Sequence, residues 1–511
     1  MRSSDVAEGP NLRGPKAKPV FPAVGFALAA LVFCAPAGAA EIAVLGRDGQ
    51  TTVRDDPFLP EVVAEPQPRG DRAGTDPRRA RAAATRRSVR SELRRLASSG
   101  KLSSDEHDRY ARQYDRAKET VRRLEGARRA NLGVVIDTLE NLTARGRLVS
   151  SRAPVLFETL ERNRQWWTDG ALIASGRRVG FAGSELVWQH YGGQGLQLQW
   201  LGTFGRANQL FSTREHDPQL RSLLAEAAPL ATRRAGGIGW ESLYRFGDGE
   251  PPWVSGMTQG TAAQAYARGA LRLRDGALMT VGREALGVFS RRAPTGVWAG
   301  SSTHAHYLQY SYDRDLRIYN GFVQALNGIY DFAKFANDDP ARALFARGEA
   351  QLRRALERGD LDTGGWSRYS NRRDSPLHYH RVLRDFLRGL CQRLGEGHVA
   401  ADPAPYCVMA QRFTADLTRP PVLDLRSRAA TAGRPKRVSF TVDKPVTVTM
   451  TVARGDDVVE RVTRSVAAGR PHIRWDEPPR RAGAYVVTLA ATDPAGNRAT
   501  KRGELHVIGA R

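Results

Sequence analysis

The run Asn320-Gly-Phe-Val-Gln-Ala-Leu-Asn-Gly-Ile-Tyr-Asp331 sets Phe322, Leu326, Ile329 and, one turn on, Ala333 on a single helical face. Ala343, Gly348, Leu352 and Leu356 mark a second face of roughly the same kind. Helical periods dominate from Trp253 to about Phe413, joined by loops rich in Gly and in aromatic residues. Several one-sided helices must bury their apolar stripes against one another. The predicted body is therefore an α/α toroid whose concave end is built from the loops.

Upstream, Arg178–Ala231 has the texture of short strands and Gly turns. Glu185-Leu-Val-Trp-Gln-His-Tyr-Gly-Gly-Gln-Gly-Leu-Gln-Leu-Gln-Trp200 reads as a hairpin. From Asp76 to Trp167 the period is helical again. Ser103-Ser-Asp-Glu106 supplies a capping box, and Tyr110, Tyr114, Ala117, Val121 and Leu124 follow on one face. Arg78, Arg79, Arg81, Arg86, Arg87, Arg90, Arg94 and Arg95 crowd the segment before it, as a solvated face or as a dock for a polyanion. Residues 41–75, rich in Pro, Gly and Asp, read as a linker. Downstream of Arg419-Pro-Pro421 the period becomes two. Arg437–Val442, Val446–Val452 and Tyr485–Ala490 alternate as half-buried strands, and Asp493-Pro-Ala-Gly-Asn497 makes a turn. This spacing predicts a β-sandwich that resembles bacterial immunoglobulin-like modules. The expected organisation is multidomain α+β: a leader (1–39), a linker (40–75), a helical segment (76–170), a β-rich region (171–240), an α/α barrel (241–417) and a sandwich (420–511).

A chain of 511 residues exceeds one hydrophobic core, and its 41% hydrophobic and 26% charged residues argue against disorder. The formal charge of +24 favours anionic partners: nucleic acid, anionic membrane or acidic polysaccharide. Only eight of the 78 basic residues are Lys, a bias that a GC-rich genome also produces, so charge alone selects no ligand. Arg13, Lys16 and Lys18 precede an apolar run from Val20 to Phe33 and the small-residue stretch Ala35-Pro-Ala-Gly-Ala-Ala40. That order predicts a secretory leader cut near Ala39, with an uncleaved membrane anchor as the alternative. Export removes Cys34 and leaves Cys391 and Cys407, an even pair in an oxidising compartment; a bridge is expected, against two separately buried thiols. The protein is expected to be secreted or held at the cell envelope.

Several chemistries lack their motifs. Gly193-Gln-Gly195 has no third glycine and opens no helix, and neither a P-loop nor G-x-S-x-G occurs. His304-Ala-His306 and His378-Tyr-His380 each offer two ligands, but no carboxylate spacing completes a zinc site, so neither metal nor cofactor is expected. Nucleic acid is set aside, because an exported chain without a reading motif has little use for it.

Three segments carry what remains: Pro252-Trp-Val-Ser-Gly-Met-Thr-Gln-Gly260, His306 to Asp331, and Asp362-Thr-Gly-Gly-Trp-Ser-Arg-Tyr369 followed by Leu377-His-Tyr-His380. Together they resemble the C-terminal domain of the D-glucuronyl C5-epimerase family, which acts on uronic acids in heparan-type polysaccharides. The likeness is clearest from Pro252 to Leu390, with weaker echoes around Trp188–Asn208. It implies an α/α barrel beside a β-rich domain and three catalytic tyrosines. Tyr310 lies ten residues before the Asn of Asn-Gly-Phe; Tyr369 lies seven after the Asp of Asp-Thr-Gly; Tyr379 precedes His380. By the same resemblance Arg372 would hold the substrate carboxylate. Gln259, Asn320 and His380 are further candidate substrate-binding residues, and Trp253, Trp366 and Phe322 read equally as sugar-stacking faces or as core. Two features depart from the animal enzymes: Tyr369 and Tyr379 lie closer together, and Leu308-Gln309 replaces the acidic residues before the first tyrosine.

The chemistry explains the residue types. Inverting C5 means removing a proton beside a carboxylate and returning one on the opposite face, so two acid/base groups must flank the ring. The dianionic intermediate calls for cationic or hydrogen-bonding groups near the carboxylate. The implied function is uronosyl C5-epimerisation in an anionic polysaccharide. A polysaccharide lyase, which takes the same proton and then expels the C4 substituent, and a non-catalytic glycan-binding envelope protein are the alternatives. Oligomeric state is not legible.

Overall fold

Residues 40–59, expected as linker, are strands instead. In the computed structural model, which describes residues 40–59, 87–476 and 481–509, β1 (Ala40–Leu45) pairs antiparallel with β2 (Thr51–Asp56) and parallel with β3 (Arg178–Phe181). Ile42, Ala43 and Leu45 are buried, and this short apolar set was hidden by the polar residues around it. The expected leader, the rest of the expected linker and Arg78, Arg79, Arg81 and Arg86 lie outside the described residues. The hairpin of β4 (Trp188–Tyr191) and β5 (Gly195–Leu198) completes a five-stranded sheet in the order β2-β1-β3-β4-β5.

Among the described residues four helices intervene between β2 and β3: α1 (Val89–Ser98), α2 (Ser104–Arg123), α3 (Gly126–Ala144) and α4 (Ala153–Asp169). Ser103 caps α2 and Glu106 reciprocates, while Tyr110 and Ala117 are buried with Tyr114, Val121 and Leu124 packed against the core. The region expected to be β-rich also contains two helices, α5 (Trp200–Leu210) and α6 (Asp217–Ala227). Trp200, Phe204 and Ala207 are buried at helical spacing in α5, a period the neighbouring Gly turns obscured.

The helical body continues with α7 (Gly256–Leu273), α8 (Gly276–Ala285), α9 (Tyr319–Ala336), α10 (Asp339–Glu357), α11 (Leu377–Gly395) and α12 (Ala404–Asp416). Among the described residues three two-stranded ribbons lie between helices: β6 (Thr232–Arg234) with β7 (Gly237–Gly239), β8 (Trp298–Gly300) with β9 (Ala305–Tyr307), and β10 (Arg368–Ser370) with β11 (Arg373–Asp374). Its centre is the crossing of α7 and α9, where two glycines remove the side chains that would hold the helices apart. A Cβ on Gly260 would lie 2.7 Å from the Ala325 Cα, and one on Gly328 would overlap the Gly260 carbonyl. Backbone on both sides leaves no flexible group to yield. Gly328→Ala is therefore expected to cost about 1–3 kcal/mol as an overpacked core, read as a lowered denaturant midpoint at unchanged slope.

One buried carboxylate ties this crossing to α11. Asp331 accepts from Arg268 Nη2 at 2.8 Å, Arg393 Nε at 2.7 Å and Gln264 Nε2 at 2.7 Å. Arg268 also donates to Asn208 on α5. Burial pushes the Asp331 carboxyl up, but Arg393 and Arg268 outweigh it and hold it down at about 2. Cys391 on α11 and Cys407 on α12 form a disulfide, with S–S 2.07 Å.

After α12 the chain forms two sheets. β12 (Leu423–Leu425), β14 (Lys436–Val442) and β17 (His472–Trp475) make one. β13 (Ala429–Thr431), β19 (Arg498–Ile508), β18 (Gly483–Thr492), β15 (Val446–Arg454) and β16 (Asp457–Val466) make the other. Val438, Phe440, Trp475, Met450, Tyr485 and Leu489, drawn from both sheets, share one apolar cluster separate from that of the helices.

Candidate functional site

Tyr310, Tyr369 and Tyr379 belong to one aromatic cluster, with Tyr244, Phe246, Trp253, Leu316 and Ile318 buried beside them and Tyr191 and Tyr312 at its margin. Four segments bring these residues together: the β4–β5 hairpin, the loop before α7, the segment between β9 (Ala305–Tyr307) and α9, and the stretch from residue 368 into α11.

Local hydrogen bonds set the first tyrosine. Ser311 N donates to Val254 O at 3.0 Å and Val254 N donates to Ser311 Oγ at 3.1 Å, which ties the Tyr310 loop to the Trp253 loop. The Trp253 ring meets Tyr310 edge-on at 5.6 Å, and its Nε1 donates to Tyr244 O at 2.9 Å. On the other side, Gly321 has no side chain because Gln309 occupies that space. Gln309 Nε2 reaches the Tyr310 hydroxyl at 3.5 Å. The glycine of Asn-Gly-Phe thus lets the residue before Tyr310 fold back against α9.

The second and third tyrosines pack on each other, with ring centroids 4.8 Å apart. Tyr369 lies on β10 (Arg368–Ser370), which pairs with β11 (Arg373–Asp374). Ser370 bridges to Ile318, and Asn371 exchanges hydrogen bonds with Arg317, so this hairpin is stitched to the segment that carries Tyr310. The guanidinium of Arg373 lies 4.6 Å from the Tyr369 ring centroid, a cation–π contact that puts positive charge at the cluster. Only 3%, 3% and 8% of Tyr310, Tyr369 and Tyr379 are exposed, and the Tyr369 oxygen itself is buried. Tyr379 is the more accessible of the packed pair.

The substrate-binding residues expected beside them are placed differently. Arg372 is directed at protein: Nη1 lies 3.1 Å from Asp313 Oδ2, although half of the side chain stays exposed. His380 is fully buried, stacked on Trp366 at 3.8 Å. Its Nδ1 accepts from Ser367 N, so Nε2 carries the hydrogen and donates to Phe413 O at 2.8 Å. Burial first, then nearby Arg384, Lys444 and Arg381, push its pKa down to about 4 despite the Phe413 bond, so it stays neutral near pH 7. Its ring and both nitrogens are engaged by the protein interior. Gln259 is fully buried within α7 and reaches only Trp240 O, at 3.4 Å. Asn320 is buried in the first turn of α9. Trp253 is buried in the same cluster as the three tyrosines.

Tyr191 and Tyr244 were not anticipated as site residues. Their rings stack at 4.2 Å and the Tyr244 hydroxyl donates to that of Tyr191 at 3.2 Å. Tyr191 ends the strand of a predicted hairpin, which was a usable signal; Tyr244, in an irregular loop, had none. Among the described residues no group of three or more His, Cys, Asp or Glu is placed to hold a metal ion. An open cleft of about 700 Å³ lies apart from the cluster, between α6 and α7; its Arg272 is occupied by Asp217 and Phe211 O.

Phenols gathered beside a guanidinium are groups that can carry acid/base chemistry. Residues 237–399, which contain all three tyrosines, match the family model of the D-glucuronyl C5-epimerase C-terminus. The match covers this segment of the chain; it supports an epimerase-type function and suggests a polysaccharide substrate. A comparison with curated proteins finds no match.

Proposed function

We propose that the protein is a uronosyl C5-epimerase acting on an anionic polysaccharide outside the cytoplasm. The observation that carries this reading is the gathering of Tyr310, Tyr369 and Tyr379 into one cluster within the family segment. In the proposed cycle one tyrosine, as phenolate, takes the C5 proton. The C–H electron pair moves into the C5–carboxyl bond, and the intermediate places two negative charges on the carboxylate. The second tyrosine, as phenol, then delivers its proton to the opposite face, and solvent restores both groups. Tyr310 serves one face. Tyr379 serves the other, a choice supported by the buried oxygen of Tyr369. Arg373 supplies positive charge where the intermediate becomes dianionic.

The same proposal takes α7–α12 as an α/α toroid and the two C-terminal sheets as an immunoglobulin-like sandwich. Secretion is supported by the disulfide, a bond that persists in oxidising compartments. Among the described residues no helix is long and apolar enough to cross a membrane.

The test is incubation with a panel of glucuronate- and iduronate-containing polymers. Conversion between the gluco and ido forms, followed by NMR, is the expected result. Growth of ultraviolet absorbance from an unsaturated uronate would assign a lyase instead. Tight binding with neither change would assign a glycan-binding protein.

A further inference from the structure

The C-terminal two-sheet module touches the segment that carries Tyr369 at both of its ends. At the start, Thr363 Oγ1 donates to Asp443 O at 2.5 Å, in the turn between β14 and β15. Gly365 packs closely on the Asp443 carboxylate and the Arg419 guanidinium. The next residue of that turn, Lys444, is wholly buried. Its Nζ donates to Asp416 O at 2.6 Å, to Arg419 O and to Asp493 Oδ2 at 3.0 Å. It also lies 5.5 Å from the Trp366 ring, the ring stacked on His380. At the far end, Ala468 N, between β16 and β17, donates to Asp374 Oδ2 at 2.9 Å on β11. Tyr369, Arg372 and Arg373 lie between the two clamps.

A spacer or an independent carbohydrate-binding appendage needs no buried lysine at its root and no contact with both flanks of one hairpin. We propose that the module is a positioning element for the Tyr369 hairpin, with Asp374 and Thr363 as positioning residues that transmit its rigidity to the aromatic cluster. The catalytic half of this statement rests on the epimerase reading; the mechanical half does not. The hairpin has two short strands, and a two-stranded ribbon alone is marginally stable, so its order must come from what it is anchored to. The hairpin carries Arg373, whose charge the proposed cycle uses at the carboxylate, and Tyr369, on which Tyr379 packs; misplacing a catalytic group by about 1 Å costs on the order of 100-fold in rate.

The experiment uses the full chain with Asp374→Ala, Thr363→Val and their double variant, set against Asp374→Asn and Thr363→Ser, which retain an acceptor and a donor. Amide hydrogen exchange is measured over 366–376 and over β15 and β18. We expect the hairpin amides of the double variant to exchange roughly tenfold faster or more, with β15 and β18 unchanged and the conservative pair like wild type. In turnover, kcat is expected to fall roughly tenfold or more with KM within about twofold, again rescued by Asn and Ser. Unchanged hairpin exchange would overturn the mechanical half whatever the substrate. Loosened exchange with unchanged kcat would overturn the catalytic half. Absence of turnover in wild type on every uronate polymer would instead defeat the epimerase reading, leaving the exchange result to stand by itself.

Discussion

Tyr310→Phe is expected to abolish inversion at C5 while leaving the protein folded. The ring is what packs against Trp253 and Phe246, at 5.6 and 5.3 Å, and phenylalanine keeps it. The oxygen is lost with its contact to Gln309, and a lost hydrogen bond changes stability by about 1 kcal/mol. A positioned acid/base group contributes on the order of 100- to 10,000-fold, and the variant should lose at least the lower figure. Tyr379→Phe should lose as much. Tyr369→Phe should lose less, because its buried oxygen is the less accessible of the pair. NMR of the uronate product reads all three, with thermal melting as the control for folding. A Tyr310→Phe protein that inverts C5 at the wild-type rate would remove that phenol from the mechanism.

The largest loss of stability is expected at Asp331. Its carboxylate is the shared acceptor for two buried guanidiniums, Arg268 and Arg393, from helices on either side of α9. Asp331→Ala leaves both cations facing each other without a counter-charge, which costs about 3–5 kcal/mol, a large share of a typical domain's stability. Asp331→Asn keeps the shape and loses the charge, and should fall in the same range. Chemical denaturation measures both. A pH dependence follows from the same group. The Asp331 carboxyl is held at about 2 in the folded protein, below its unfolded value near 3.9. Its contribution is therefore complete above the unfolded value and is lost as pH falls from about 4 towards 2. The Asn variant should lack this part of the acid transition. The Asp of the Gly-Ile-Tyr-Asp run thus has a structural role, joining α5, α7, α9 and α11 around one anion.

The helices were legible where their apolar residues recur over several turns, as in α2 and α9, and where a cap marked the start, as Ser103 and Glu106 do. β1 escaped because six residues give a period-two signal too few repeats to stand out beside a Pro- and Asp-rich tract. The tyrosines were legible through ordered motifs, but the residues beside them were not, for reasons of geometry. His380 follows Tyr379 on a helix, and one residue turns the chain by about 100°, which carries the imidazole away from the cluster and under Trp366. Arg372 sits in the turn of a tight hairpin and Arg373 begins its return strand, so adjacent positions face different surroundings. One guanidinium goes to Asp313 and the other to the Tyr369 ring. Gln259, inside α7, is fully buried with its amide directed at Trp240 O. Sequence motifs located the loops; only the backbone path decides which side chain of each loop reaches the site.

The most direct measurement is the isotope content at C5 of a uronate polymer after incubation with the protein in deuterated water. Proton removal on one face and return on the other predicts deuterium at C5 of every inverted residue, with no unsaturated product. Inverted residues that retain their original hydrogen, or polymers that stay unlabelled while bound, would contradict a tyrosine-mediated exchange at this centre.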